Sequence, residues 1–269
     1  MLIPLLSVID DFVICMFLSL FTDTCTLAHY DYQDGSQRIR NILNQEMGEE
    51  DRKNIPPESQ FTYSNGFTMW VGSIFVDIRN STELFANKDR DMVTRIERSF
   101  ISEVIQVLQS DKYAEIGIRG DCVYGIYSTP TEGAIHELYE KAVYVNTLMN
   151  LLNKHYAKKG FPQLKVGIGL AANEDLVVKA GSKGSGINDR IWIGEAVSTA
   201  SNLSKYGSKN SISPIVMSEN VYINAILPKL NISEKPEWFK RYSSGKELFY
   251  HCDLVKTKFN NWIENNSGL

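Results

Sequence analysis

The sequence predicts an α+β domain on an antiparallel-rich sheet, and three observations lead there. Strand-like and helix-like patterns alternate in the order β-α-α-β-β-α-β-β-α, which fits one sheet with helices packed on one of its faces. Residues 68–76 (TMWVGSIFV) are apolar on both sides of the strand period, as a doubly covered central strand requires. In residues 91–109, Met92, Ile96, Phe100, Val104 and Leu108 recur every four positions, which gives a helix with one buried face.

The remaining elements follow in chain order. Residues 34–58 begin as a polar helix (SQRIRNILNQEM) and end in a loop closed by Pro56 and Pro57. Residues 61–67 (FTYSNGF) carry a turn signal at Asn65-Gly66. The central strand then ends at Asp77. In residues 114–127 two short β-like runs flank Gly120-Asp121, the pattern of a two-residue hairpin. Residues 131–155 are helical, with Ala134, Leu138, Ala142 and Val145 on one stripe. Residues 164–170 (LKVGIGL) and 175–180 (DLVVKA) read as a second strand pair. A glycine-serine loop follows (GSKGSGIND), then a strand (RIWIG) and a helix (EAVSTASNLSKYG). The tail holds a strand (PIVMS), a helix near Tyr222 and an amphipathic segment around Trp262. The expected organisation is residues 1–30 as an apolar leader, 31–60 as helix and loop, 61–210 as the core domain and 211–269 as an extension packed on it.

Composition narrows the function classes. The 269 residues can bury a sizeable core, and 43% hydrophobic with 22% charged residues is ordinary for a soluble protein. A net charge of -4 without a basic stripe argues against general nucleic-acid binding. Cys15, Cys25, Cys122 and Cys252 are widely spaced and form no CxxC pair, so free thiols in a reducing cytoplasm are expected. His29, His136, His155 and His251 form no metal-ligand cluster. Residues 1–21 are strongly apolar, but Asp10 and Asp11 sit in the middle and no basic segment leads them. A docking helix, a membrane-associating segment and residues upstream of the true start are the three readings, the last favoured.

Two aspartates carry the chemistry. Asp77 ends a buried strand and is followed by Ile78-Arg79-Asn80-Ser81-Thr82, short polar residues suited to start a helix and present backbone N–H groups to an anion. A carboxylate beside a phosphate cradle calls for a cation between them, and Mg²⁺ or Mn²⁺ bridges such oxygens. Asp121 sits at the predicted hairpin tip. If that hairpin pairs with the first strand, both carboxylates converge on two metal ions that polarise a hydroxyl and neutralise a leaving pyrophosphate. Either aspartate alone is more simply a turn residue or a helix cap. The two together in a strand–helix–hairpin setting point to metal-assisted phosphoryl chemistry.

FVDIRNSTELF, IRGDCVYGIY, VGIGL and RIWIGEAVSTASNL, in this order, resemble the class III adenylate/guanylate cyclase catalytic domain over residues 62–205. FTYSNGF, FISEV, KAGSKGSGIND and IWIGEAV narrow the match. They resemble the Pycsar pyrimidine cyclases of bacterial anti-phage defence, through the tail to the Trp262 segment. The resemblance implies a ferredoxin-like/palm fold and a homodimer with sites at its interface. It implies metal binding by the Asp77 and Asp121 side chains and the Ile78 carbonyl, with two Mn²⁺ or Mg²⁺ ions per site. The reaction implied is attack of the ribose 3′-hydroxyl on the α-phosphate of a nucleoside triphosphate, where positioning and charge neutralisation dominate. A separate effector would sense the cyclic product.

Purine cyclases of this family carry base readers at positions that match Gly117 and Ile191, and neither residue can read a purine. In the pyrimidine enzymes an aromatic of the FTY segment approaches the base. Tyr63 matches it, with Phe61 second, although a half-buried strand tyrosine is the plain alternative. UTP is preferred over CTP because uridylate cyclases are the commoner type. The family's helical Asn and Arg fall at Ser198 and Asn202. Ser198 can still donate a hydrogen bond, but Asn202 supplies no charge. Arg79, Lys179, Lys183 and Arg190 are the cations available instead, and Lys179 and Lys183 flank a glycine loop that could approach phosphate. These departures leave open a silent nucleotide-binding or partner-binding module. A diguanylate cyclase is poorly supported, for no GGDEF-like hairpin occurs.

Overall fold

The computed structural model describes residues 30–86, 88–109, 115–230, 237–245 and 247–266. The chain divides into two compact units, Met1–Glu46 and Met47–Leu269. The first holds helix α1 (Tyr32–Leu43), started by Asp31, whose carboxylate accepts from the backbone N–H groups of Gln33 and Asp34 at 2.9 and 3.0 Å. The helix expected from residue 34 therefore starts slightly earlier and ends at Leu43. The readings of residues 1–21, and Cys15, Cys25 and His29, lie outside the described residues.

The second unit is one mixed, mainly antiparallel sheet in the order β3-β4-β2-β5-β7-β9-β8, with β1 added to β2 and β6 to β5. Its strands are β1 (Gly48–Asp51), β2 (Asn65–Ile78), β3 (Glu115–Arg119), β4 (Cys122–Ser128), β5 (Val166–Gly181), β6 (Asn188–Ile193), β7 (Ile215–Ser218), β8 (Lys240–Ser244) and β9 (Glu247–Cys252). Its helices are α2 (Ser81–Phe85), α3 (Arg90–Leu108), α4 (Glu132–Lys158), α5 (Ala196–Ser204) and α6 (Thr257–Asn265). Residues beyond 210 continue the sheet, because β7 runs parallel to β5 from Ile168↔Ile215. Near Tyr222 the expected helix is a compact turn, with a π segment at Tyr222–Ile226 between single turns.

The sequence reading splits β5 into two strands. The structure makes it one strand of 16 residues, held from end to end by β2, from Gly66↔Val178 to Ile78↔Val166. The intervening Ala171-Ala172-Asn173-Glu174 contains no Gly or Pro, and even Asn173 stays in the ladder, paired with Val71. A local pattern could not show this, because the pairing partner lies a hundred residues away.

Helices cover both faces of the sheet, not one. The alternation of β2 sends Ile74, Val76 and Ile78 into the large core. There they meet Ile96, Phe100, Val104 and Leu108 of α3, all fully buried, and Leu138, Ala142 and Val145 of α4. The other alternation sends Phe75 with Ala171 of β5 against Ala200 of α5. Helix α5 lies backbone to backbone on β5. A Cβ at Gly169 would stand 2.0 Å from the Ala200 carbonyl oxygen, and one at Gly167 would stand 2.0 Å from that of Ser204. The buried Asp175 carboxylate accepts from Glu195 N at 3.0 Å and Ala196 N at 3.2 Å, capping the helix start from the neighbouring strand.

Gly169→Val is expected to lower folding stability by about 1–3 kcal/mol through overpacking of this contact. Urea unfolding monitored by circular dichroism checks it, and an unchanged midpoint would mean that the helix is not seated here.

Candidate active site

Asp77 is the penultimate residue of β2 and faces the α5 side of the sheet. It stands opposite Cys122 of β4 on one flank and Gly167 of β5 on the other. The expected hairpin is present: Arg119 pairs with Cys122, and Gly120 at φ 63° makes the two-residue turn with Asp121. Because Cys122 is opposite Asp77, Asp121 lies beside the strand end. Burial raises the Asp77 carboxyl above its ordinary range against the opposing pull of Arg79, and repulsion from the Asp121 charge adds to the rise while Lys209 opposes it.

Arg79 is only 7% exposed and turns inward. Its guanidinium pairs with Asp77 Oδ2, donates to the Asp77 carbonyl at 3.1 Å and donates to the Lys205 carbonyl at 3.1 Å. It therefore joins the end of β2 to the end of α5. A cation offered in place of the missing helical arginine is already engaged here. Asn80 takes a left-handed conformation at φ 53° and caps nothing with its side chain. Ser81 and Thr82 then open the short α2. The capping expected of these residues is thus absent, because the turn is closed by the Leu84 N–H donating to the Asn80 carbonyl at 2.8 Å. Beside it, a cavity of about 340 Å³ is lined by Arg79, Asn80, Glu83, Leu84, Gln163 and Lys165.

Among the described residues no group of three or more His, Cys, Asp or Glu could hold a metal ion. The donor set at the strand end is two carboxylates and the neighbouring Ile78 carbonyl. That set fits Mg²⁺ or Mn²⁺, hard cations that take one or two carboxylates and complete their shell with water and substrate phosphates. The mutual repulsion of Asp77 and Asp121 is what a cation between them would relieve.

The other predicted residues are spread over the same face. Ser198 and Asn202 stand one turn apart on α5, both exposed. Tyr63 is half-buried in the turn before β2. Lys179 near the end of β5 is paired with Glu58 at 3.2 Å, and Lys183 is exposed in the β5–β6 loop. Arg190 is paired with Glu115 at 3.0 Å. Burial raises the Glu115 carboxyl while Arg190 opposes the shift. The twelve-residue step from Asn65 to Asp77 along β2 spans ~40 Å at about 3.3 Å per residue. One protomer therefore does not bring Tyr63, Lys179 or Lys183 to its own Asp77.

Gly117 and Ile191 have physical accounts. A Cβ at Gly117 would lie 2.4 Å from the Tyr124 ring, which fills that space and stacks on Phe75 at 5.2 Å. Ile191 is 44% exposed on β6 and offers no polar group.

These features recur in known proteins. No family model matches the sequence. A uridylate cyclase of Treponema porcinum is 47% identical over 242 residues, which is 89% of this chain and 82% of that protein. A second uridylate cyclase, of Gulbenkiania mobilis, is 34% identical over 88% of this chain and 97% of its own length. The chain belongs to the uridylate cyclase family. The adenylyl cyclase CyaB from P. aeruginosa superposes with a TM-score of 0.56 at 18% identity, over 70% of this chain and 95% of its own, so this chain has the class III cyclase fold.

Sequence reasoning missed several residues of the site. Lys165 lines the cavity beside Asn80, and its carbonyl accepts from Arg79 N at 2.8 Å. A cation one residue before VGIGL was the available signal. Lys205 donates to the Asn202 side chain at 2.9 Å. Its spacing of three on one helix was legible as a neighbour of Asn202. Tyr124 gave no signal, since only the fold sets it over Gly117.

Arg79→Met should destabilise the protein by about 2–3 kcal/mol. This is below the figure for a fully buried pair because Asp77 still reaches water. Chemical denaturation checks it, and a loss under about 0.5 kcal/mol, the range of surface substitutions, would show that the guanidinium does not hold the strand end.

Proposed function

We propose that this protein is a uridylate cyclase, converting UTP to 3′,5′-cyclic UMP and pyrophosphate. The observation that carries this reading is the convergence of Asp77 and Asp121 at the end of β2, in a chain 47% identical to a uridylate cyclase. A divalent cation held by Asp77, Asp121 and the Ile78 carbonyl would polarise the ribose 3′-hydroxyl and neutralise the departing pyrophosphate. In the reaction the 3′-oxygen bonds to the α-phosphorus, the hydroxyl proton leaves, and the bond to the bridging oxygen of pyrophosphate breaks.

The residues of the chain do the positioning. Arg79 holds one Asp77 oxygen and the strand end in place, leaving the other oxygen for a cation. Asn80 to Thr82 turn tightly beside the carboxylates, and Lys165 brings positive charge to the neighbouring cavity. The absent purine readers at Gly117 and Ile191 leave recognition to a smaller base. Tyr63 supplies the aromatic contact to it.

The working unit is a homodimer. Tyr63 and the Asp77 pair lie ~40 Å apart along one β2 strand, farther than one nucleoside triphosphate reaches. If Tyr63 meets the base of a nucleotide held by Asp77, it comes from the second copy. Lys179 and Lys183 reach that nucleotide the same way, whereas Ser198 and Asn202 stand on α5, whose end Arg79 ties to the Asp77 strand end. Mn²⁺ or Mg²⁺ is the metal, and the cytoplasm is the compartment. The role is second-messenger synthesis in anti-phage defence, read by a separate effector that senses the cyclic product.

Purified protein incubated with Mn²⁺ and each ribonucleoside triphosphate should yield cyclic UMP by mass spectrometry. Asp77→Ala and Asp121→Asn should each remove turnover while the far-ultraviolet spectrum is kept. Normal turnover in either variant would remove the site, and a cyclic purine product would overturn the base assignment. Tyr63→Ala should relax the preference among the four triphosphates at unchanged Mn²⁺ dependence, and an unaltered preference would exclude Tyr63.

A further inference from the structure

Helix α5 ends at Ser204, and the chain then makes a tight loop over residues 207–213. Gly207 sits against β5: a Cβ there would lie 2.7 Å from the Gly167 Cα and 2.5 Å from the Pro214 carbonyl oxygen. Gly167 is the residue opposite Asp77. The loop is therefore packed against the strand position that pairs with Asp77.

The loop is also strained. Ser208, Asn210 and Ser211 have φ of 58°, 47° and 67°, three left-handed non-glycine residues among four consecutive positions. Such conformations persist only where the surroundings enforce them, and they concentrate at functional sites. The enforcing contacts are visible. Ser208 Oγ donates to the Val166 carbonyl at 2.7 Å, Ile212 N donates to the Lys209 carbonyl at 2.8 Å, and Ser213 N donates to His251 Nδ1 at 3.0 Å. What these contacts present is Lys209. Its side chain is exposed, and no hydrogen bond or ion pair engages its ammonium group among the described residues.

A triphosphate at Asp77 brings more negative charge than two carboxylates and their metal ions leave neutralised. Arg79 cannot answer it, because its guanidinium is committed to Asp77 and the Lys205 carbonyl. Lys209 can, from a backbone fixed against the Asp77 strand pair. We propose that Lys209 is a triphosphate-binding residue of the cyclase, held over the metal site by the left-handed 208–211 loop to contact the phosphates that leave as pyrophosphate. This rests on the uridylate cyclase reading for its substrate, but its geometry concerns any polyphosphate at Asp77. Lysine serves here as a point charge, which tolerates exchange of phosphate oxygens as the bond to pyrophosphate breaks.

The test is calorimetric titration of wild type and Lys209→Ala with pyrophosphate in the presence of Mn²⁺, alongside steady-state kinetics with UTP. Loss of one charge-assisted contact should weaken pyrophosphate binding and raise KM for UTP by about tenfold or more. The effect on kcat should be smaller, and the Mn²⁺ concentration for half-activation should stay put. Lys209→Arg should restore most of the affinity, which a merely structural role would not explain, as should an unfolding midpoint equal to wild type. If Lys209→Ala binds pyrophosphate like wild type while cyclisation is normal, the role of Lys209 falls and the cyclase reading stands. If wild type cyclises no triphosphate, the cyclase reading falls, and the pyrophosphate titration still decides Lys209. Wild type that cyclises UTP but binds no pyrophosphate with Mn²⁺ would overturn the role of Lys209 and leave the cyclase reading standing.

Discussion

The seating of α5 on β5 is the constraint on which the site depends. At Gly167 and Gly169 the helix carbonyls of Ser204 and Ala200 take the space that any side chain would need. No other residue permits that approach. Once it is made, several groups are placed together. The Asp175 carboxylate meets the free N–H groups at the start of α5. The Lys205 carbonyl at the other end comes within reach of Arg79. The chain leaving the helix folds onto Gly167 through Gly207. Asp77 sits opposite that same Gly167. One backbone contact therefore fixes Asp77, its Arg79 partner and the loop bearing Lys209 in a common frame.

The two alternations of β2 divide the labour of the fold. Ile74, Val76 and Ile78 enter the large core with α3 and α4, where apolar burial stabilises the fold. Phe75 and Asp77 point to the thinner α5 side, where Ala171 and Ala200 leave little bulk. That side can therefore carry half-buried polar groups at modest cost. Asp77 is the clearest case. Burial and Asp121 disfavour its charge, and Arg79 alone does not offset them. A further cation beside the two carboxylates would relieve that repulsion.

Features set by neighbouring residues were legible in the sequence. Gly120-Asp121 between two β-like runs gave the hairpin, because a two-residue turn is chosen by its own residues. The Ile96, Phe100, Val104 and Leu108 stripe gave α3, because helical periodicity is local. The settings of Asp77 and Asp121, a strand end and a hairpin tip, were legible for the same reason. What was missed depends on distant partners. The continuity of β5 is imposed by β2, and placement of α5 on the opposite face follows from glycines that look like ordinary strand residues. Arg79 read as a free cation because nothing near it in sequence shows the Lys205 carbonyl, 126 positions away. The left-handed Ser208, Asn210 and Ser211 carry no glycine to announce them.

The same distinction bears on base selection. Gly117 read as an absence, a position without a side chain to recognise a purine. In the structure it is occupied space, because the Tyr124 ring lies where a side chain at 117 would go and is itself stacked on Phe75. Phe75 is two residues from Asp77 on the same face of β2. A side chain at 117 would have to displace the outer end of the Tyr124 ring, and with it the ring stacked on Phe75. The space at 117 and the aromatic surface over Phe75 are thus set together, between adjacent strands.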